Sequence, residues 1–257
     1  MMSDFTVVIP ARMSSTRLPR KMLLDVIGLP LIVRVAHQAA ISKAKRVVVA
    51  TDHEEIFTVC KQHNLDVIMT SAEHQSGTDR IAEVVQQLNL AEDEIIVNVQ
   101  GDEPLIDPEL INQLASFIAA KRSSIATIAH PIHSAEEIFN PNVVKVVLNK
   151  DNLALYFSRA AIPYYREGFN NANDIELPKH LNVLRHIGIY AYQVSFLNIY
   201  NQLPSCPLEQ VEALEQLRAL YNGYKIAVMT TNHAPAAGVD TLEDLLRVRQ
   251  IILAQEK

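Results

Sequence analysis

No glycine occurs among the first 27 residues, and the 257-residue chain has only seven. The opening therefore holds neither G-x-G-x-x-G nor a P-loop, both of which need glycine to close backbone amides around phosphate. Tryptophan is absent. The two cysteines, Cys60 and Cys206, are too far apart to propose a disulfide framework or a zinc site. Cys60 sits in the apolar-periodic EEIFTVC and reads as a buried thiol. No apolar window approaches eighteen residues, and MMSDFTVVIP lacks the basic and apolar regions of a signal peptide, so a soluble cytoplasmic protein is expected. With 23 Lys and Arg against 29 Asp and Glu, the net charge of −6 argues against nucleic acid or an anionic membrane as partner.

What is present is alternation. The apolar runs FTVVIP (5–10), RVVVAT (46–51), DVIMT (66–70) and EIIVNV (94–99) read as buried strands. Between them, PLIVRVAHQAA (30–40), HEEIFTVCKQH (53–63) and TDRIAEVVQQL (78–88) read as helices, and a further one starts at Asp107 as N-cap with Pro108 at its first position. Apolar strands separated by amphipathic helices predict an α/β fold with a mostly parallel sheet covered on both faces. Beyond residue 124 longer strands follow in SIATIAH, NVVKVVLN, RHIGIYAYQV and YKIAVMT, with helices over LEQVEALEQLRALY (208–221) and TLEDLLRVRQIILAQ (241–255). The least regular stretch is 164–180. The second half reads as an extension of the sheet with an excursion.

Parallel sheets bind ligands at the carboxyl ends of their strands. There the chain gathers Arg12, Arg17, Arg20 and Lys21, interleaved with Ser14, Ser15 and Thr16, and no acid intervenes before Asp25. Arginine forks and a lysine point charge suit phosphate. At physiological salt screening confines their field to roughly 8 Å, so a bound anion feels the cluster locally. A second strand ends in QGDEP, which delivers Asp102 to the same edge, while Asp107 already caps the following helix. Phosphate cations beside a free carboxylate point to polyphosphate with a hard metal ion. Asp240, preceding TLEDLL, reads as a helix cap. On RHIGIY, alternation puts His186, Gly188 and Tyr190 on one face. No Ser-His-Asp or Cys-His arrangement points to a covalent nucleophile.

The segments VVIPARMSSTRLPRKML, ATDHEEI, HQSGTDRIAEVV, VNVQGDEPLI, NPNVVKVVL, ALYFSRAAIPY, RHIGIYAY, LEQLRAL and GVDTLEDL closely resemble the 3-deoxy-manno-octulosonate cytidylyltransferase family, in register over about residues 5–250. That resemblance implies a Rossmann-like sheet of the nucleotide-diphospho-sugar transferase type, with a smaller sugar-binding and dimerisation part. The chain would be one nucleotidyltransferase domain: 1–123 mainly for CTP, 124–230 mainly for the sugar and a homodimer contact, and 231–257 a closing segment. The implied reaction is transfer of CMP from CTP to the 2-hydroxyl of 3-deoxy-D-manno-octulosonate (Kdo), with Mg²⁺ as cofactor and pyrophosphate as co-product, for lipopolysaccharide synthesis.

By matching position, Ala11, Arg12, Ser15, Arg17, Lys21, Gln75, Ser76 and Gly77 would bind the nucleotide. Lys21, Arg17 and Asp102 would be catalytic, and Asp102 and Asp240 would hold metal. Gln100, Arg159, His186, Tyr190, Glu215 and Gln216 would hold the sugar, with Arg159 or His186 suited to its carboxylate. The rival readings are a cytidylyltransferase for another acidic sugar (8-amino-Kdo or sialic-acid-like) and a nucleotide-binding scaffold without chemistry. Arg20, Met22 and Leu29 stand where the family usually has Gly, Pro and Lys, and Ser71 where some members carry Arg.

Overall fold

Short β-branched runs alternate with amphipathic helices through the chain, and the computed structural model, which describes residues 4–15, 17–74, 76–169, 182–232 and 238–255, folds them into one layered body. The first half runs β1 (Phe5–Ala11), a single 3₁₀ turn (Lys21–Leu23), β2 (Asp25–Val26), β3 (Leu29–Pro30), α1 (Leu31–Ala40), β4 (Arg46–Thr51), α2 (Glu54–Gln62), β5 (Asp66–Met69), α3 (Gly77–Gln87), β6 (Ile95–Asn98) and α4 (Pro108–Lys121). There follow β7 (Ile125–Pro131), α5 (Ala135–Phe139), β8 (Lys145–Leu148), β9 (Ala154–Ser158), β10 (Leu184–Gln193) and α6 (Val194–Tyr200). The chain continues through α7 (Pro207–Glu212), α8 (Gln216–Tyr221), β11 (Ile226–Thr230) and α9 (Leu242–Gln255).

Among the described residues nine strands share one sheet, whose main path is β11-β7-β10-β6-β1-β4-β5, with β8 pairing β10 and β9. The β6-β1-β4-β5 block is parallel and so is β11-β7, while β10 runs antiparallel between the two blocks. Alternation along the strands feeds two cores. Val7, Ile9, Ile95 and Val97 pack with α1, α2, α4 and α9 on one face. Val8, Ile96, Tyr190 and Tyr192 pack with α3, α6 and α8 on the other. The expected α/β sheet with helices on both faces is what the chain forms. Cys60 is fully buried, and burial pushes its thiol up to about 11.

Three features depart from the sequence reading. The helix expected over 208–221 is two short helices, because Ala213 between them takes a left-handed conformation, φ 50° and ψ 51°. The β2–β3 hairpin, α5 and α6 were not anticipated. Strand β10 carries an irregularity in which Ile187 faces Ile128 but Tyr190 already faces Thr127. Two residues are inserted there, so the faces keep their parity and His186 still lies beside Tyr190, ring centroids 5.2 Å apart. Among the described residues no helix is long and apolar enough to cross a membrane.

Candidate active site

The carboxyl ends of β1, β4 and β6 lie side by side because Ala11 is in register with Thr51 and Val8 with Asn98. Beyond them opens a cleft of about 420 Å³ lined by Pro10, Arg12, Ser14, Ser15, Arg17, Lys21, Met22, Gly77, Gln100, Gly101, Asp102 and Asp240. Gly101 is dictated by crowding: a Cβ there would stand 2.8 Å from the Pro10 carbonyl oxygen and 3.2 Å from Met22 Sδ. A hollow of similar size, about 440 Å³, lies against α1 and α9, but no acidic residue is among its described lining.

Lys21 is the centre of the cleft. Its ammonium lies 2.6 Å from Asp102 Oδ2 and 3.1 Å from Asp240 Oδ1, and Arg17 reaches the same Asp240 oxygen at 2.9 Å. Burial works to lower the Lys21 pKa, but Asp102 and then Asp240 outweigh it, so the group is held charged. Asp240 arrives through the backbone: the Val239 amide donates to the Asp102 carbonyl at 2.8 Å. The reading of Asp240 as a plain helix cap is corrected here. Thr241 Oγ1 accepts from the Asp244 amide and Asp244 Oδ2 accepts from Thr241, which completes the cap and leaves the Asp240 carboxylate to the cleft. Asp107 likewise caps α4 through the Glu109 amide, leaving Asp102 free for the cleft.

The remaining phosphate-loop residues are less uniform. Ser15 Oγ accepts from the Leu18 amide at 3.3 Å and so shapes the loop, while Ser14 and Arg17 are exposed. Ala11 is fully buried in the core at the end of β1 and is not among the cleft's described lining. Arg12 lines the cleft with its pKa lowered, first by burial and then by Arg80, against Asp52, Glu215 and Asp79. Ser76 is the N-cap of α3 in a capping box with Asp79, and Gly77 faces the cleft. Gln75 and Thr16 lie outside the described residues, as do 170–180 of the irregular 164–180 stretch.

The expected sugar residues gather around β10 and α8. Gln100 Nε2 donates to the Gly188 carbonyl at 3.3 Å, tying the β6 end to the β10 irregularity. Thr127 Oγ1 lies 2.7 Å from the Ile189 carbonyl and 2.9 Å from His186 Nε2. Its single hydrogen goes to the carbonyl, which assigns the His186 proton to Nε2 and leaves Nδ1 as an acceptor. Burial pushes His186 down to about 3, so near neutral pH it is uncharged and cannot supply the positive partner of a carboxylate. Tyr190 stacks on Tyr192 with centroids 5.7 Å apart. Glu215 and Gln216 join them in the pocket over Tyr192 and Phe196, and Gln216 Nε2 is buried without a partner among the described residues. Burial raises the Glu215 pKa against hydrogen bonds from Thr78 and Ser76. Arg159 donates to the carbonyls of Glu212 (2.6 Å), Pro141 (3.0 Å) and Ala213 (3.4 Å), which among the described residues leaves two of its five N–H groups.

Several supporting residues escaped the sequence reading. Arg80 is fully buried, paired with Asp52 at 2.6 Å and hydrogen-bonded to Thr70. Lys145 is fully buried and donates to the carbonyls of Asn140 (3.0 Å), Val143 (2.6 Å) and Arg159 (2.6 Å). A charge interrupting the apolar runs TDRIAEVV and VVKVVL was the available signal in both. Glu103, beside Asp102, is pushed up to about 7 by burial and then by Asp102, with Arg185 opposing.

Among the described residues no three His, Cys, Asp or Glu side chains gather as a metal cage. A hard cation that keeps substrate phosphates in its shell needs only one or two carboxylates. Asp102 and Asp240, far apart in sequence and both on the Lys21 ammonium, would fit that donor set.

Comparison with known proteins gives the chain's relatives. A family model described as cytidylyltransferase matches residues 6–226. The 3-deoxy-manno-octulosonate cytidylyltransferase of Herminiimonas arsenicoxydans is 60% identical over 247 residues, covering 96% of this chain and 98% of that one. That of Neisseria meningitidis serogroup C (strain 053442) is 55% identical over 250 residues, covering 97% and 98%. A solved structure of CMP:2-keto-3-deoxy-manno-octonic acid synthetase complexed with CTP superposes with a TM-score of 0.87 at 40% identity, covering 99% of this chain and 100% of that one. The chain belongs to the cytidylyltransferase family, among the 3-deoxy-manno-octulosonate cytidylyltransferases.

Proposed function

We propose that this cleft transfers the cytidylyl group of CTP to the 2-hydroxyl of Kdo, releasing pyrophosphate, as the activating step for lipopolysaccharide assembly. The observation that carries the reading is the meeting of Lys21, Asp102 and Asp240 at the strand ends. It sets a cation for phosphoryl oxygens and a carboxylate pair in one cleft. Arg12, Arg17 and Lys21 bind the triphosphate, with Ser15 and the Ala11 backbone shaping the loop. Ser76 and Gly77, with Gln75 beside them in sequence, border the cytidine. Mg²⁺ held by Asp102 and Asp240 would neutralise charge on the phosphates and orient the attacking hydroxyl.

On the sugar side, Arg159 is the charged partner for the carboxylate through the two N–H groups that find no acceptor among the described residues. His186 accepts a sugar hydroxyl at Nδ1, and Gln100, Tyr190, Glu215 and Gln216 take the remaining hydroxyls. Segments 1–123 and 124–230 would thus serve mainly nucleotide and mainly sugar, with Gln100 crossing that division and 231–257 returning Asp240 to the first. Little covalent chemistry falls to the protein; it positions the groups and stabilises charge during in-line displacement. A homodimer remains part of the proposal, on the family likeness alone.

The test is pyrophosphate release and product identification with CTP, Mg²⁺ and a panel of acidic sugars. Kdo is expected to be the preferred acceptor, and Asp102→Asn to lose on the order of 10²-fold in turnover. Preference for an 8-amino or sialic-acid-like sugar would replace Kdo in the assignment. An absence of pyrophosphate with every sugar would leave a binding scaffold.

A further inference from the structure

We infer that Lys21 has a second role before the nucleotide arrives: its ammonium holds Asp102 and Asp240 as an internal counter-ion and keeps a divalent cation off them. The inference rests on the reading of that pair as a metal site. Three observations carry it. The Lys21 side chain is only 9% exposed, and its ammonium stands between the two carboxylates at 2.6 and 3.1 Å. Distances of that order are hydrogen-bonded ion pairs, made on the oxygen atoms a hard cation would use. Arg17 takes up the same Asp240 oxygen at 2.9 Å, so the pair is already matched by two positive charges.

The consequence is electrostatic. A divalent ion entering between the carboxylates would meet an ammonium at contact distance, where like charges repel. The cation must therefore leave as the metal enters. Triphosphate gives Lys21 and Arg17 somewhere to go, since phosphoryl oxygens accept the same hydrogen bonds. Nucleotide and metal are thereby coupled: phosphate draws the cations away, and the carboxylates become available together.

The experiment measures Mn²⁺ binding by electron paramagnetic resonance without nucleotide, on the full chain and on Lys21→Met, Lys21→Arg and Lys21→Met with Asp102→Asn. Lys21→Met is expected to bind Mn²⁺ at least tenfold more tightly than the unaltered protein. Lys21→Arg, which keeps the charge, is expected to stay within about twofold, and the double variant to lose the gain. Thermal melts establish that each variant is folded, and Lys21→Gln replaces Lys21→Met if the latter is not. A Lys21→Met affinity unchanged from the parent, with binding still weakened by Asp102→Asn, would overturn the counter-ion role and leave the metal site intact. Mn²⁺ binding to the double variant as tight as to Lys21→Met would overturn the metal site itself.

Discussion

Arg20 shows how much one residue's backbone can decide. By the family resemblance glycine is expected there, inside the loop proposed to bind phosphate. The structure gives it φ 56° and ψ 27°, a left-handed conformation that glycine adopts without strain. Its guanidinium turns outward to an ion pair with Glu55 at the start of α2. Arg20 is thus a fourth cation by sequence only, because its charge is spent away from the cleft. Replacing it by glycine should relieve about 1–2 kcal/mol of left-handed strain. The flexible unfolded chain and the lost exposed ion pair each take back roughly 0.5–1 kcal/mol. Arg20→Gly is therefore expected to keep stability within about 1 kcal/mol in urea denaturation, with kcat/KM for CTP unchanged. A tenfold fall in that ratio would mean that Arg20 does touch the phosphates.

Among the elements, the failed helix over 208–221 is the instructive one. LEQVEALEQLRALY contains good helix formers and neither glycine nor proline, so nothing local predicts a break. The break comes from elsewhere in the fold. Ser158 Oγ and the Arg159 amide donate to the Glu212 carboxylate, while Arg159 Nε takes the Glu212 carbonyl at 2.6 Å. Tertiary hydrogen bonds thus capture the carbonyl end of α7, Val211 is left 86% exposed, and Leu214 turns into the core. The bend also brings Glu215 and Gln216 to the pocket beside Tyr190. Ala213 bears the strain of this turn at φ 50°. Glycine is the favoured residue at such a helix end, so Ala213→Gly should stabilise the protein by about 0.5–1 kcal/mol. That corresponds to a rise in Tm of roughly 1–4 °C for a chain of this size. A fall in Tm would show that the bend is not strained. The motifs themselves were legible where chemistry coincides with a local pattern, as in the loop after β1 and QGDEP after β6. They were not legible where a long-range contact sets the geometry, as at Lys145, Arg159 and the β10 irregularity.

For the whole molecule, strand alternation and parallel order made the common strand edge readable, and with it the place of the cleft. The antiparallel entry of β10 between two parallel blocks was not readable, since periodicity carries no strand direction. Bringing Gln100, Asp102 and Asp240 to one edge has an energetic consequence for Glu103, which the same crowding half-buries. Its carboxyl is pushed up to about 7, by burial first and by Asp102 second. In the unfolded chain a glutamate titrates near 4.3. Between those values the unfolded chain has released a proton that the folded one retains, so stability is fully present below the lower value. It is lost as pH rises toward 7 and is level beyond. Since Glu103 is partly exposed, the loss is on the order of 1–3 kcal/mol. Glu103→Gln cannot titrate and should lack this slope. Urea denaturation in EDTA at pH 5 and pH 8 is expected to show the variant gaining on its parent by most of that amount at the higher pH. A difference between the two proteins that is the same at both pH values would mean that Glu103 is ionised throughout, with Arg185 and Lys21 outweighing its burial.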